Sequence, residues 1–414
     1  MKRNVAIIDG ARTGFTKIGS SLKRLSSVDL GVKPVNALAS RYSLQNNPDG
    51  LLVFGTVIHS ANVSNIAREV ALESALHPMT RSFSTIMACA TSLAATAEAA
   101  SWISRGSIPW AIAGGSESMS NFPVSFHQQM GYTLRDLQFS KTAPEKLKAV
   151  LSLRPKHLFP QVPAVAERLT GKSMGEHCED MVQEWKIPRE EQDKWAVMSH
   201  HRAAAHKDFH ARFTTFEKDN LVRGDTTIEK AAKLKPAFRK NGSLTAANSS
   251  PLTDGAAAIL LADVDYAREQ GWPILAVIDD FESAAVDINK EGLLMAPPYA
   301  ILRLLQRQNK KLSDFDMVEI HEAFAGQVLC NLKALQDEKW CQSRVGLRPT
   351  EIPSQDRINI QGGSIALGHP FAATGARLLM QLAQSLYDQK ASSGLISICA
   401  AGGLGLVGTL RKAP

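Results

Sequence analysis

Two segments of this chain end on the same kind of corner. Ala111-Ile112-Ala113-Gly114-Gly115 and Ser397-Ile398-Cys399-Ala400-Ala401-Gly402-Gly403 each carry an apolar strand into paired glycines, which suggests one structural unit used twice. The surroundings repeat as well. In residues 1–120, segments 5–8, 51–58, 82–86 and 110–113 read as strands, 64–76 as an amphipathic helix and 92–103 as an Ala-rich helix. In residues 271–414 the strands are 274–281, 317–320 and 395–399, and the helices 299–308, 323–336 and 371–387. Such alternation specifies an α/β fold with a mainly parallel sheet and helices packed against it. Residues 121–249 break the pattern. They are richer in charge and histidine, with helix-like stretches at 163–169, 175–185 and 189–209 and little strand. This reads as an insertion capping the two halves, the first of which is completed by residues 250–270; long functional loops of this kind commonly act as substrate lids.

A chain of 414 residues can bury a sizeable core. Its five cysteines (Cys89, Cys178, Cys330, Cys341 and Cys399) are scattered, with no CxxC pair. Neither a disulfide framework nor a structural zinc site is expected, so the thiols are free for chemistry. His206 and His210 have the spacing of a metal pair but no evident third ligand, and read as a solvated helix face; no metal is expected. The net charge of +7 comes without aromatic interleaving or a nucleic-acid motif, so nucleic acid is not an expected partner, whereas an anionic small molecule is. The apolar run Val5-Ala6-Ile7-Ile8 stops at Asp9, too short for a secretory signal. No run reaches the ~18 apolar residues that span a bilayer. A soluble, cytoplasmic protein is expected.

Four groups sit where a strand gives way to a loop or helix. Cys89 precedes the helix beginning Ser92-Leu93, where the positive end of the helix dipole lowers a thiol pKa, although a buried structural cysteine is the simpler reading of that residue alone. His369, fixed between Gly368 and Pro370, suits a base for Cys89, a donor to an oxyanion, or a helix cap. Cys399 ends a buried strand and is followed by small residues that free backbone N–H groups to face a site, while His321 follows another strand. Parallel sheets bind ligands at the carboxyl ends of their strands. Few chemistries need two cysteines in different roles without a metal or a disulfide, and acyl transfer with carbon–carbon bond cleavage is one of them.

The motifs Cys89-Ala90-Thr91-Ser92, His321-Glu322-Ala323-Phe324, Gly368-His369-Pro370 and Cys399-Ala400-Ala401-Gly402-Gly403 resemble those of thiolases in order and spacing. Further matches are Asp9-Gly10-Ala11-Arg12-Thr13, Gly114-Gly115-Ser116-Glu117-Ser118-Met119 and the stretch from Asn248 to Ala256. The resemblance covers nearly the whole chain. It is nearest to the thiolase (β) subunit of the fatty-acid β-oxidation multienzyme complex, chiefly through His321, where many thiolases carry Asn, and through residues 363–375. Two positions depart from the pattern: Gly14 stands where a proline commonly follows Arg-Thr, and Ser173 where short-chain thiolases often have His.

The resemblance implies a thiolase fold, with two duplicated mixed-sheet α/β halves layered αβαβα around a mainly helical loop domain. It also implies thiolysis of 3-ketoacyl-CoA by coenzyme A, in which CoA is a co-substrate and no cofactor is needed. Cys89 would be the nucleophile, His369 a base or oxyanion donor, His321 an oxyanion donor acting directly or through a water, and Cys399 an acid and base. Backbone N–H groups of Cys89 and Ala401 would hold the acyl oxyanion, and Ser250 and Phe238 would contact CoA. A homodimer or larger assembly is expected, with a hydratase/dehydrogenase α subunit as candidate partner in an α2β2-type complex. The basic, apolar stretch 141–157 could dock a partner or a membrane surface. A short-chain acetoacetyl-CoA thiolase working in condensation is the alternative, against which His321 and Ser173 argue.

Overall fold

The computed structural model describes residues 3–161 and 166–413. Its strands are β1 (Val5–Thr13), β2 (Thr16–Lys17), β3 (Leu51–Gly55), β4 (Arg81–Ser84), β5 (Trp110–Glu117), β6 (Ser125–Phe126) and β7 (Pro160–Gln161). They continue with β8 (Thr214–Phe216), β9 (Thr253–Asp263), β10 (Ala276–Ala285), β11 (Met317–Ile320), β12 (Ser393–Ala400) and β13 (Leu404–Arg411). The main sheet runs β11-β12-β13-β10-β1-β9-β5-β3-β4.

That order contains one plan twice. In β4-β3-β5-β9-β1, β3 is parallel to β4 and β5, while β9 is antiparallel to β5 and β1. In β11-β12-β13-β10, β11 is parallel to β12, while β13 is antiparallel to β12 and β10. A parallel bridge between Val318 and Ile358 takes the place of the missing edge strand. The copies meet where β1 and β10 pair, Val5 opposite Ile278.

The sheet is therefore mixed rather than mainly parallel. The physical reason is that β13 turns straight back beside β12, while β9, entering after the insertion, lies antiparallel between β5 and β1, and antiparallel pairing needs no crossover helix. The paired glycines also differ between the halves. Gly114 and Gly115 stay inside β5, whereas Gly402 (φ 81°) and Gly403 (φ 72°) form the left-handed turn from β12 to β13.

Alternate residues decide the layers. Ile396 and Ile398 of β12 face a central cluster with Leu93, Leu378 and Leu382, whereas Leu395 faces the outer helix Ala296–Gln308. In the other half, Val5 and Ile7 point to the centre, and Ala6 and Ile8 to the outer helix Ser27–Arg41. Two helices, Thr91–Ser104 and Thr374–Gln389, fill the middle layer. The second is buried at every position from Thr374 to Leu386, as a helix is only when covered on all sides. The two meet at their N-termini: the Ala376 N–H donates to Ser92 Oγ at 2.8 Å, and a Cβ on Gly375 would lie 2.5 Å from the Leu93 nitrogen.

The inserted region carries helices Gln128–Phe139, Ala143–Leu151, Met174–Glu184 and Arg189–Ala205. Of the stretch 163–169, residues 163–165 lie outside the described residues, and Ala166 forms a bridge to Ser173 instead of a helix.

Candidate active site

Cys89 occupies a tight 3₁₀ turn, Ala88–Ala90, between β4 and the first central helix. Ala88 there has φ 45°, a left-handed conformation costing a non-glycine residue about 1 kcal/mol or more. Thr91 holds the turn: its hydroxyl donates to the Ala88 carbonyl at 2.7 Å and accepts from the Met87 N–H at 2.9 Å. His369 stands in the corresponding place before the second central helix. Its N–H donates to Thr253 Oγ1 on β9 at 3.1 Å, and its Nδ1 lies 2.6 Å from Thr374 Oγ1. Its Nε2 is 3.2 Å from Cys89 Sγ.

His321, one residue past β11, has its ring centroid 4.1 Å from that of His369. Its Nδ1 bonds Ser364 Oγ at 2.9 Å, and its buried Nε2 has no partner. Cys399 is the penultimate residue of β12, buried and close enough to Cys89 for a thiolate on one to disfavour a thiolate on the other. The backbone N–H groups of Ala401 and of Cys89 itself act to favour a thiolate on Cys89.

Burial dominates the electrostatics. It pushes the Cys89 thiol up to about 12, against the two backbone N–H groups that act to lower it. The helix-start position thus does not yield the lowered thiol expected from sequence, because desolvation outweighs it. Burial, with Arg377 adding to it, brings His369 down to about 3. His321 falls well below its ordinary value through burial, then through His369 and Arg377. Cys399 is raised well above its own by burial. All four shifts favour the uncharged forms of the two thiols and the two imidazoles.

The ligand atoms of Cys89, His321 and His369 lie within 4.8 Å of one another. Both histidines commit Nδ1 to a hydroxyl and turn Nε2 toward the site, a layout that serves proton transfer and could also hold a soft cation.

Ser250 and Phe238 share a separate cleft of about 500 Å³ with the cations Lys17, Arg223 and Lys230. The cleft adjoins the turn after His321: the Ser250 N–H donates to the Ala323 carbonyl at 2.9 Å, and Phe238 packs edge-on against Phe324 at 5.6 Å.

Several residues that shape the site were missed by sequence reasoning. The buried Glu322 carboxyl accepts from Trp195 Nε1 (3.0 Å), Ser199 Oγ (2.7 Å), Asn359 Nδ2 (2.8 Å) and the Ile365 N–H (3.2 Å). Glu117 on β5 likewise ties Thr56, Val57 and Ile58 to Ala372. A signal was present in Glu322, a charge inside an apolar motif. His210 is not on a solvated face as expected; it is buried, with Nε2 at 2.8 Å from the Gln361 carbonyl, while His206 Nδ1 bonds the Arg202 carbonyl. Cys178, Cys330 and Cys341 are buried packing residues. Ser173 caps the helix Met174–Glu184.

A cysteine and two histidines gathered at the helix starts and strand ends of a duplicated five-layer α/β fold are the arrangement of an acyltransferase class. Residues 5–265 match the family description "Thiolase, N-terminal domain", and residues 272–412 match "Thiolase, C-terminal domain". The chain belongs to the thiolase family. It is 40% identical to a 3-ketoacyl-CoA thiolase of Alteromonas mediterranea over 97% of this chain and 95% of that one. It is also 40% identical to a 3-ketoacyl-CoA thiolase of Serratia proteamaculans, with the same coverage. Among solved structures, the acetyl-CoA acetyltransferase of Bacillus anthracis superposes with a TM-score of 0.81 at 27% identity, covering 100% of this chain and 99% of that one.

Proposed function

We propose that this chain is a 3-ketoacyl-CoA thiolase that cleaves 3-ketoacyl-CoA with coenzyme A in fatty-acid β-oxidation. The observation that carries the reading is the 3.2 Å contact of Cys89 Sγ with His369 Nε2, beside the unpartnered Nε2 of His321. His369 Nε2 takes the Cys89 proton as the sulfur attacks the 3-keto carbon. The alkoxide so formed accepts from the N–H groups of Cys89 and Ala401. Its collapse breaks the C2–C3 bond, leaving the acyl group on Cys89 and the electron pair on the acetyl-CoA enolate. The Nε2–H groups of His321 and His369 donate to the enolate oxygen, each such donor contributing about 3 kcal/mol. The Cys399 thiol protonates C2, and acetyl-CoA leaves. The Cys399 thiolate then takes the proton of incoming CoA, whose sulfur attacks the acyl-Cys89 thioester; acyl-CoA leaves, and the Cys89 thiolate recovers its proton from His369. The carbonyl and thioester steps need no group beyond these side chains and CoA. The 500 Å³ cleft with Ser250 and Phe238 would take pantetheine, its cations the phosphates, and residues 121–249 would form the lid.

The same reading extends to assembly in the cytoplasm. β4 ends the main sheet with one edge unpaired, which suits pairing with a second copy. The helix Ala143–Leu151 exposes Leu147, Val150 and Leu151 beside Lys146 and Lys148, a surface fit for an α subunit or an anionic membrane. Among the described residues no helix is long and apolar enough to cross a membrane. Loss of neither complex assembly nor vesicle binding on deleting residues 141–157 would reject that surface.

The deciding test is CoA-dependent cleavage of C4 and C16 3-ketoacyl-CoA by the wild type and by Cys89→Ala. Faster C16 cleavage, abolished in the variant, is expected. Activity confined to C4 would transfer the chain to the acetoacetyl type, and activity surviving in Cys89→Ala would reject the nucleophile.

A further inference from the structure

His321 has no carboxylate to orient it, yet its ring state decides whether it donates to an enolate. Its Nδ1 meets Ser364 Oγ at 2.9 Å. The same Oγ accepts from Arg377 Nη2 at 2.7 Å. Ser364, His321 and Arg377 are all buried, with at most 1% exposed.

The donor inventory is met when this chain runs in one direction. A guanidinium only donates, so Arg377 uses a lone pair of Ser364. The hydroxyl has one hydrogen, which His321 Nδ1, 2.9 Å away, can accept. That nitrogen is then bare, and in a neutral ring Nε2 carries the proton. Arg377 is drawn down to about 10, mainly by burial, so it keeps its charge at neutral pH. A charged donor polarises the hydroxyl behind it and strengthens its hydrogen bond.

We propose that Ser364 and Arg377 are positioning residues for the cleavage step: they lock His321 as the Nε2–H tautomer, a preset donor to the enolate oxygen. This rests on the thiolase reading of the site. It adds that His321 arrives armed through a hydroxyl relay whose source of charge is Arg377, on the second central helix. His321 and Ser364 thus form one functional pair, and a chain with Ser364 replaced by alanine should retain the imidazole but lose control of its proton.

The test separates two half-reactions of the full-length enzyme. Cleavage of C16 3-ketoacyl-CoA needs the enolate donors. Exchange of labelled CoA into palmitoyl-CoA passes only through acyl-Cys89, whose oxyanion rests on the backbone N–H groups of Cys89 and Ala401. For Ser364→Ala, cleavage kcat should fall about tenfold to a hundredfold, with KM and the exchange rate within about twofold of wild type. A purely structural role would lower both rates together and overturn the proposal; unchanged cleavage would overturn it too. ¹⁵N-histidine NMR gives a second readout. His321 Nε2 should be protonated in the wild type and should lose that fixed state in Ser364→Ala; a wild-type ring protonated at Nδ1 would refute the relay. His321→Ala serves as the control for the underlying reading. If it leaves cleavage intact, the enolate role of His321 fails; if it abolishes cleavage while Ser364→Ala does not, only the relay fails.

Discussion

Cys89 Sγ and His369 Nε2 lie 3.2 Å apart, although 280 positions separate them in sequence. The contact follows from the duplication. Each residue sits just ahead of the middle-layer helix of its own half, and the two helices dock at their N-termini through Ser92, Ala376 and the side-chain-free Gly375. The two side chains are thus placed by one interface, and Ala88, held at φ 45°, sets the turn that carries the first of them.

A free enzyme with a thiol at about 12 and an imidazole at about 3 holds almost no thiolate at neutral pH. Iodoacetamide should therefore alkylate Cys89 slowly at pH 7 and about tenfold faster for each pH unit up to pH 10, read by mass spectrometry. A rate already flat between pH 6 and 9 would mean a preformed thiolate–imidazolium pair and would refute the neutral resting state.

Gly375 is the point of closest approach between the two central helices. An alanine there would bring its Cβ to 2.5 Å from the Leu93 nitrogen, which the helices relieve only by moving apart. Gly375→Ala should cost about 1–3 kcal/mol in urea unfolding and reduce cleavage at least tenfold through a lengthened Cys89–His369 contact. Gly346, with nothing within 4 Å of its added Cβ but a φ of 74°, is the control: its alanine variant should lose stability and keep the rate.

Much of this site was legible because its reactive residues lie in short motifs bounded by small residues, and strand ends could be read from apolar runs such as 317–320, which forms β11 as read. What escaped were two long antiparallel strands. β9 is Ala-rich (Asp254-Gly255-Ala256-Ala257-Ala258) and β13 is interrupted by Gly405 and Gly408, so neither shows the β-branched alternation that marks a strand. β9 is buried throughout, and small residues run from Gly255 to Ala258. The partners of the catalytic groups were also hidden. Ser364, Thr374 and Arg377 acquire meaning only once the fold sets them beside histidines, and a pKa fixed by burial has no sequence signature.

Glu322 gathers four donors from three separate segments, Trp195 and Ser199, Asn359, and Ile365. Removing the acceptor leaves the Trp195, Ser199 and Ile365 donors buried without it, while Asn359 Nδ2 keeps the Ile320 carbonyl at 2.9 Å. Glu322→Ala should destabilise the fold by about 3–5 kcal/mol, seen as a lower urea midpoint with an unchanged slope. It should also lower activity, because Ile365 adjoins the Ser364 that holds His321. A loss below about 1 kcal/mol would show that water replaces the carboxyl and that the hub is dispensable.

Glu319 supplies the clearest pH test of stability. It lies on β11, fully desolvated, and burial raises it to about 8 although Arg377 and the Gln381 amide act the other way. Unfolded, the same carboxyl titrates at about 4.3. Between these values the folded chain keeps a proton that the unfolded chain releases, so stability falls as pH rises from about 4 to 8. Below that window both states are protonated and the group contributes nothing to the slope; above it both are ionised and the loss is complete. Glu319→Gln keeps the shape and removes the titration. Its thermal midpoint should fall less than that of the wild type between pH 5 and 8, the two curves diverging toward pH 8 with the variant the more stable. Parallel curves across that range would show that Glu319 is ionised in the folded chain, held by Arg377 more strongly than burial opposes it.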